Sequence, residues 1–359
     1  MMLRVLVIVA GVLGLTAPAV AQEVGRDYSG YLDRVLTEVL RPSFVELERN
    51  TAALDESLVA LCADRSAESL DATREAFAAV TLNWGRVTAL QIDPLLAESQ
   101  RERFYFWPDP RGVTLRQIQP VLIEEDESVT TADSLRDKSV ALQGLGALEY
   151  LLHGTGNEAL ADASAPDHRC RYAVAVGALL TELAAAFSEA IAPDGPFSQL
   201  LSEPGPDNPL YQTPQQAAAD FVLSAVSGID LSRDALVIPV LGDSPDLARP
   251  RTAPLWRAGL SLEFLGSLLA GSEALLIGVD LESLLPASQR WILESLTLEF
   301  GAIHAAIPDA AMSIEAAVSE QRQSLELVTL IGANLKALTG TYLSQSLGLS
   351  LGFNALDGD

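Results

Sequence analysis

The sequence predicts an all-α protein organised as two helical bundles, and three observations carry that expectation. Apolar residues recur at i, i+3 and i+4 through most of the 359 positions. Strand-like alternation is nearly absent, and its best instance, ALVIPVLG at 235–242, is interrupted by Pro239. Between positions 192 and 214 lie six prolines together with Gly195, Gly205 and Asn208, too many breakers for a helix. The expected division is therefore an N-terminal bundle at 24–192, a Pro-rich linker at 193–213 and a C-terminal bundle at 214–359.

The chain opens on a targeting segment. Met1 to Arg4 make a short basic start, an apolar run follows to Leu15, and Ala19-Val20-Ala21 has the small-x-small pattern of a signal-peptidase site. The apolar run is short for a membrane span, and Gln22 and Glu23 follow at once. Residues 1–21 thus read as a signal peptide, the mature chain as exported to the periplasm. Every later apolar stretch holds charge, Gly or Pro, so no transmembrane span is expected after signal removal.

Helices follow in order. Leu32, Val35, Leu36, Val39 and Leu40 keep the helical period, as do Leu47, Leu54, Leu58 and Leu61, and Pro42 predicts a kink or restart between them. A helix is expected over 69–90, with Leu70, Phe77, Val80 and Trp84 on one side. The Ala-rich tract 172–192 favours helix by propensity. Pro214 suits a first turn, and a second break falls at 241–254. A faint internal echo links ALEYLL at 147–152 to SLEFLGSLL at 261–269, and RERFYFWPDPRG at 101–112 to RPRTAPLWRAG at 249–259.

Composition narrows the partners. The chain has 23 basic and 48 acidic residues, a formal net charge of −25 that argues against nucleic acid and anionic lipid surfaces. Cationic ligands or metal ions are compatible with it, as is mere solubility. The two cysteines, Cys62 and Cys170, read most simply as one disulfide in an exported chain, the alternative being two buried free thiols.

Two places carry candidate chemistry. In 103–112, Pro108 and Pro110 stiffen the backbone and present Trp107, Asp109 and Arg111 from a non-helical loop; either the loop binds, or Asp109 and Arg111 simply pair. In VALQGLGALEYLLHG at 140–154, Glu149 falls on the apolar side with Leu145 and Leu152, while Gly144 and Gly146 strip bulk beside it. An inward carboxylate needs a partner, for which Arg103, Arg111 and Arg257 are candidates. Generic catalytic patterns are missing: no HExxH, GxSxG, P-loop or dinucleotide fingerprint occurs. Of the three histidines, His153 reads as a C-terminal helix cation, His168 as a loop residue and His304 as a core residue.

Four segments resemble the imelysin family of exported bacterial proteins: FYFWPDPRG, SVALQGLGALEYLLHG, WRAGLSL and the tail GFNALDGD. The cysteines, in LVALC and HRCRYAV, fit its imelysin-like branch. The resemblance implies an all-helical fold of two bundles related by a pseudo-repeat and an association with bacterial iron uptake. For the founding members it also implies a metallopeptidase label, which rests on a GxHxxE motif whose His and Glu share a helix face and can meet one metal ion. Here Gly144 and Glu149 match, and Gly146 stands at the histidine position. Glycine neither ligates a metal nor acts as a base.

The expectation is a non-catalytic binding or accessory protein of an iron-uptake system, its partner an unknown ligand or a component of that system. The alternatives are a metallopeptidase with ligands recruited from Glu263, Asp109 or His153, and a structural adaptor. The cofactor is left open, with iron or another metal ion as the candidates. The candidate ligand-binding set comprises Arg103, Trp107, Asp109, Arg111, Gln143, Gly144, Gly146, Glu149, Arg257, Ser261 and Glu263.

Overall fold

Helix period alone accounts for the architecture: among the described residues, 26–351 of the computed structural model, every regular element is helical and no strand occurs. The expected signal segment and the tail GFNALDGD lie outside those residues. The principal helices are α1 (Arg41–Asp64), α2 (Ala67–Val87), α3 (Val113–Ile123), α4 (Gly144–His153), α5 (His168–Ile191), α6 (Pro214–Asp230), α7 (Ser261–Ala274), α8 (Trp291–Ala306) and α9 (Arg322–Ala337). Pro42 stands at the start of α1 directly after a π-type stretch, Val35–Leu40, so the helical run from Ser29 to Asp64 passes the proline with a local change of hydrogen-bond pattern rather than a break. Ser66 and Ser69 close a reciprocal capping box at the start of α2. The segment around Pro239 is helical as well, a π-type stretch Leu231–Val237 running into Ile238–Leu241.

Helix α1 packs along both α2 and α5, burying Phe44, Leu47, Leu54, Leu58 and Leu61. Cys62 on α1 and Cys170 on α5 are bonded, their Cα atoms 5.6 Å apart. Downstream, α6 packs on α7 and α8 on α9. The two sets meet where α2 runs against α7. At Gly271 any Cβ would stand 2.2 Å from the Arg86 carbonyl oxygen, so this crossing exists only because the side chain is missing. One contiguous apolar core spans both sets.

One sequence expectation gives way here. The Pro-rich segment is not free of helix: Pro196–Ser202 forms a short one, with Pro196 at its start and Phe197 and Leu201 buried. Proline breaks a helix from within but opens one readily. By length and composition, the segment His168–Ser202 is apolar enough to cross a membrane, although Gly177, Glu182, Glu189 and Pro193 interrupt it. In the fold most of it is α5, whose Tyr172, Val176, Leu180 and Phe187 are buried by neighbouring helices and whose Cys170 is tied to α1.

Asp220 on α6 is half-buried beside Tyr211 of the Pro-rich segment. Burial pushes its carboxyl from the ordinary 3.8 up to about 6, against a hydrogen bond with Tyr211 that favours the charged form. A folded value above the unfolded one means that stability is lost as pH rises between the two. Asp220→Asn is expected to be flat across that window. At pH 7.5 it should exceed wild type by roughly 1 kcal/mol, after discounting for the solvent that still reaches the group, with the gap closing toward pH 4. Urea unfolding at the two pH values measures it.

Candidate functional site

Glu149 is turned inward, as its helix phase requires, and is only 6% exposed. It lines a cavity of about 570 Å³ whose walls come from three places: the 105–115 loop and helix start, α4 at Gly146, Glu149 and Tyr150, and the 251–257 segment before α7. Asp234, Ala235 and Pro239 close the remaining side.

The 105–112 loop is non-helical, as its prolines dictate. Phe104 anchors it by stacking on buried Trp84 at 4.1 Å between ring centroids. Trp107 stacks on Tyr105 and meets Phe264 of α7 edge-on at 5.7 Å. Asp109 does not pair with Arg111. Its two oxygens accept the backbone N–H groups of Val113 and Thr114 at 2.8 and 2.9 Å. Those amides begin α3 and lack partners within the helix, so the carboxylate caps it with the dipole in its favour.

The partner of Glu149 is Arg257. The Arg257 backbone N–H donates to Glu149 Oε1 at 3.0 Å, and the guanidinium Nη1 lies 3.9 Å from Oε2. Burial raises the Glu149 carboxyl above its ordinary range, opposed by the Arg257 charge and by the amides of Arg257 and Ala258. The Arg257 guanidinium also lies over Trp256, 4.5 Å from the ring centroid, and 5.4 Å from that of Tyr150. Burial, with the Glu149 and Asp109 charges near, raises the Tyr105 hydroxyl well above its ordinary range.

The other predicted residues divide. Trp107, Asp109, Gly146, Glu149 and Arg257 meet at the cavity, and the rest do not. Arg103 points away, donating to the Arg136 carbonyl at 3.1 Å and to Gln143 Oε1 at 3.4 Å. Gln143 is buried and donates in turn to the Lys138 carbonyl at 2.7 Å, a latch within the loop before α4. Arg111 is exposed, outside the cavity. Gly144 serves packing: its φ is +69°, and a Cβ would stand 2.3 Å from the Phe104 carbonyl oxygen. Ser261 is buried, its hydroxyl donating to the Pro254 carbonyl at 2.6 Å, which pins the 254–261 turn. Glu263 is half-buried on α7 and does not line the cavity. Sequence reasoning missed Tyr105, Tyr150, Arg251 and Trp256 as walls. Two of these are chain neighbours of Glu149 and Arg257, the signal that was there to use.

The histidines also differ from expectation. His153 ends α4, but burial beside the Arg74 charge lowers it to about 4, so it is neutral at pH 7 and no cationic cap. His168 starts α5, buried, with Nε2 3.0 Å from the Asp126 carbonyl. His304 is half-buried against Glu273 at 3.1 Å.

The family model for imelysin matches residues 40–341. The chain belongs to the imelysin family. Its fold is shared by an imelysin-like protein from Psychrobacter arcticum, 18% identical with a TM-score of 0.73, over 92% of this chain and 100% of that one. A "putative iron-regulated protein A precursor" from Parabacteroides distasonis is 14% identical with a TM-score of 0.72, over 90% and 97%. At these identities the likeness is one of fold. No curated relative matches the chain.

For an imelysin, the telling position is Gly146. It stands one helical turn before Glu149 at the cavity wall, and a Cβ there would meet only Thr114 and Tyr105 at an ordinary 3.6 Å. The space for a histidine is present, and the ligand is not. The residues around it do not fit a metal ion. Glu149 Oε1 is engaged by an amide, and a cation at Oε2 would sit beside the Arg257 guanidinium, like charge against like. Among the described residues, no three of His, Cys, Asp and Glu are grouped to hold one, so Glu263, Asp109 and His153 supply no substitute set.

Proposed function

We propose that this imelysin is an exported, non-catalytic binding or accessory protein of a bacterial iron-uptake system, working in the periplasm through the cavity at Glu149. The observation that carries the reading is the state of that carboxylate. It faces a cavity of ligand size, yet its oxygens serve the Arg257 amide and guanidinium rather than an open ligand position. A hydrolytic metal centre needs several protein ligands and one free position, and the Gly146–Glu149 pair offers one carboxylate already in use. The Cys62–Cys170 disulfide supports an oxidising compartment. The iron-regulated name of the Parabacteroides distasonis protein supports the link to iron.

Purified chain is expected to leave unfolded casein intact, with and without added zinc. Cleavage that a chelator abolishes would overturn the non-catalytic reading. A strain lacking the gene should grow poorly under iron limitation and recover with the wild-type gene. It should not recover with Gly146→Leu, which fills the cavity from a position with room for the Cβ and should leave the melting temperature nearly unchanged. Normal growth of the deletion strain without iron would remove the iron assignment.

A further inference from the structure

We propose that the Glu149 cavity takes an organic oxyanion on a flat apolar body, an aromatic carboxylate being the simplest example, with Arg257 as its charge partner. The inference rests on the reading of this cavity as a binding site, and adds the chemistry of what enters.

The argument is a census of donors and acceptors on the wall. Three carboxylates line the cavity, and each is engaged. Asp109 accepts the two amides that begin α3, Glu149 accepts the Arg257 amide, and Asp234 pairs with Arg233. A cationic ligand would meet carboxylates whose charge is already shared with amides or a guanidinium. The guanidinium of Arg257 has Glu149 as its counter-charge but is short of hydrogen-bond acceptors. Among the described residues no oxygen lies within hydrogen-bonding distance of it, the nearest carboxylate atom being Glu149 Oε2 at 3.9 Å. Its side chain is 21% exposed, on the cavity wall, and the Trp256 and Tyr150 rings hold its plane in place. A planar cation held in place, ion-paired with Glu149 but with N–H donors that make no hydrogen bond, matches a carboxylate's two oxygens.

The remaining surface sets the body of the ligand. Tyr105, Trp107, Pro108 and Leu255 offer apolar faces, and 570 Å³ accommodates a ring system rather than an inorganic ion. Arg251, 73% exposed and 5.1 Å from the Trp256 ring centroid, is the second arginine at the wall and is itself paired with Glu315 at 3.4 Å, which leaves Arg257 as the cation without a hydrogen-bonded acceptor.

Isothermal titration of the full mature chain at pH 7.5 and low salt tests this with four probes: 2-naphthoate, its uncharged amide, 2-naphthylmethylamine and inorganic phosphate. Naphthoate is expected to bind at least tenfold more tightly than the amide, with the amine and phosphate undetected. Arg257→Met should bring naphthoate down to the level of the amide, and Arg257→Lys should keep part of the difference. Far-UV circular dichroism and melting temperature confirm that each variant is folded, and the four wild-type titrations need no variant at all. Equal binding of acid and amide, or tighter binding of the amine, would overturn the oxyanion assignment while leaving the cavity a binding site. Phosphate binding as tightly as naphthoate would overturn the apolar body. Binding of none of the four would overturn the proposal, whereas the iron-limited growth test, which uses no probe, judges the underlying reading separately.

Discussion

Glu149→Ala is expected to destabilise the protein by about 3 kcal/mol, at the lower end of what breaking a buried ion pair costs. The carboxylate is 6% exposed and holds the Arg257 amide at 3.0 Å, so its removal leaves a backbone donor without an acceptor and the guanidinium without its counter-charge. The lower end applies because the charges are 3.9 Å apart and Arg257 keeps some water. Glu149→Gln separates charge from hydrogen bond. Its amide oxygen can still accept the Arg257 N–H in the same volume, so the change at pH 7 should stay within about 1 kcal/mol. The sign of the pH dependence follows from burial, which raises the folded carboxyl above its ordinary 4.5. Wild type therefore loses stability as pH rises from there to the raised value, while Glu149→Gln does not. Urea unfolding of the three proteins from pH 4 to 8 is the measurement. An alanine variant within 1 kcal/mol of wild type would show that Glu149 does not hold the 251–257 segment.

Loss of the Cys62–Cys170 bond is expected to cost still more. The cysteines are 108 positions apart, and closing a loop of that length removes chain entropy from the unfolded state worth about 5 kcal/mol. Against the 5–15 kcal/mol that folds a typical domain, this is a third or more of the total. The Cys62→Ala/Cys170→Ala protein should therefore show a large fall in urea midpoint, and wild type under reductant should match it. Thiol titration of denatured, unreduced protein should find no free cysteine. A midpoint unchanged by reductant would mean that the reduced chain keeps enough residual structure to cancel the effect.

What the sequence determined by itself was local. The leucine spacing of α1 makes a helix whatever it packs against, because 3.6-residue periodicity is written within a few turns. The same holds for the inward phase of Glu149 and for the stiff, non-helical 105–112 loop, where Pro108 and Pro110 act on their own backbone. The missing ligand at Gly146 needed only the motif spacing. Export and oxidation suggested the disulfide because only one pairing of two cysteines exists.

The tertiary structure decided everything that depends on which distant groups meet. Three arginines were equal candidates for Glu149, and the one chosen, Arg257, lies 108 positions away and binds first through its backbone N–H. No side-chain pattern announces a backbone donor. Asp109 had a cationic neighbour two residues on, yet it went to the amides of α3, because a helix start presents unpaired donors at fixed positions while exposed Arg111 remains solvated. Gly144 and Gln143 looked like site residues and proved to be packing, since only the fold brings the Phe104 carbonyl against one and the Lys138 carbonyl against the other. Charge pairing and cavity walls depend on helix placement over distances that no local period encodes. The sequence therefore located the carboxylate, and the fold chose its partner.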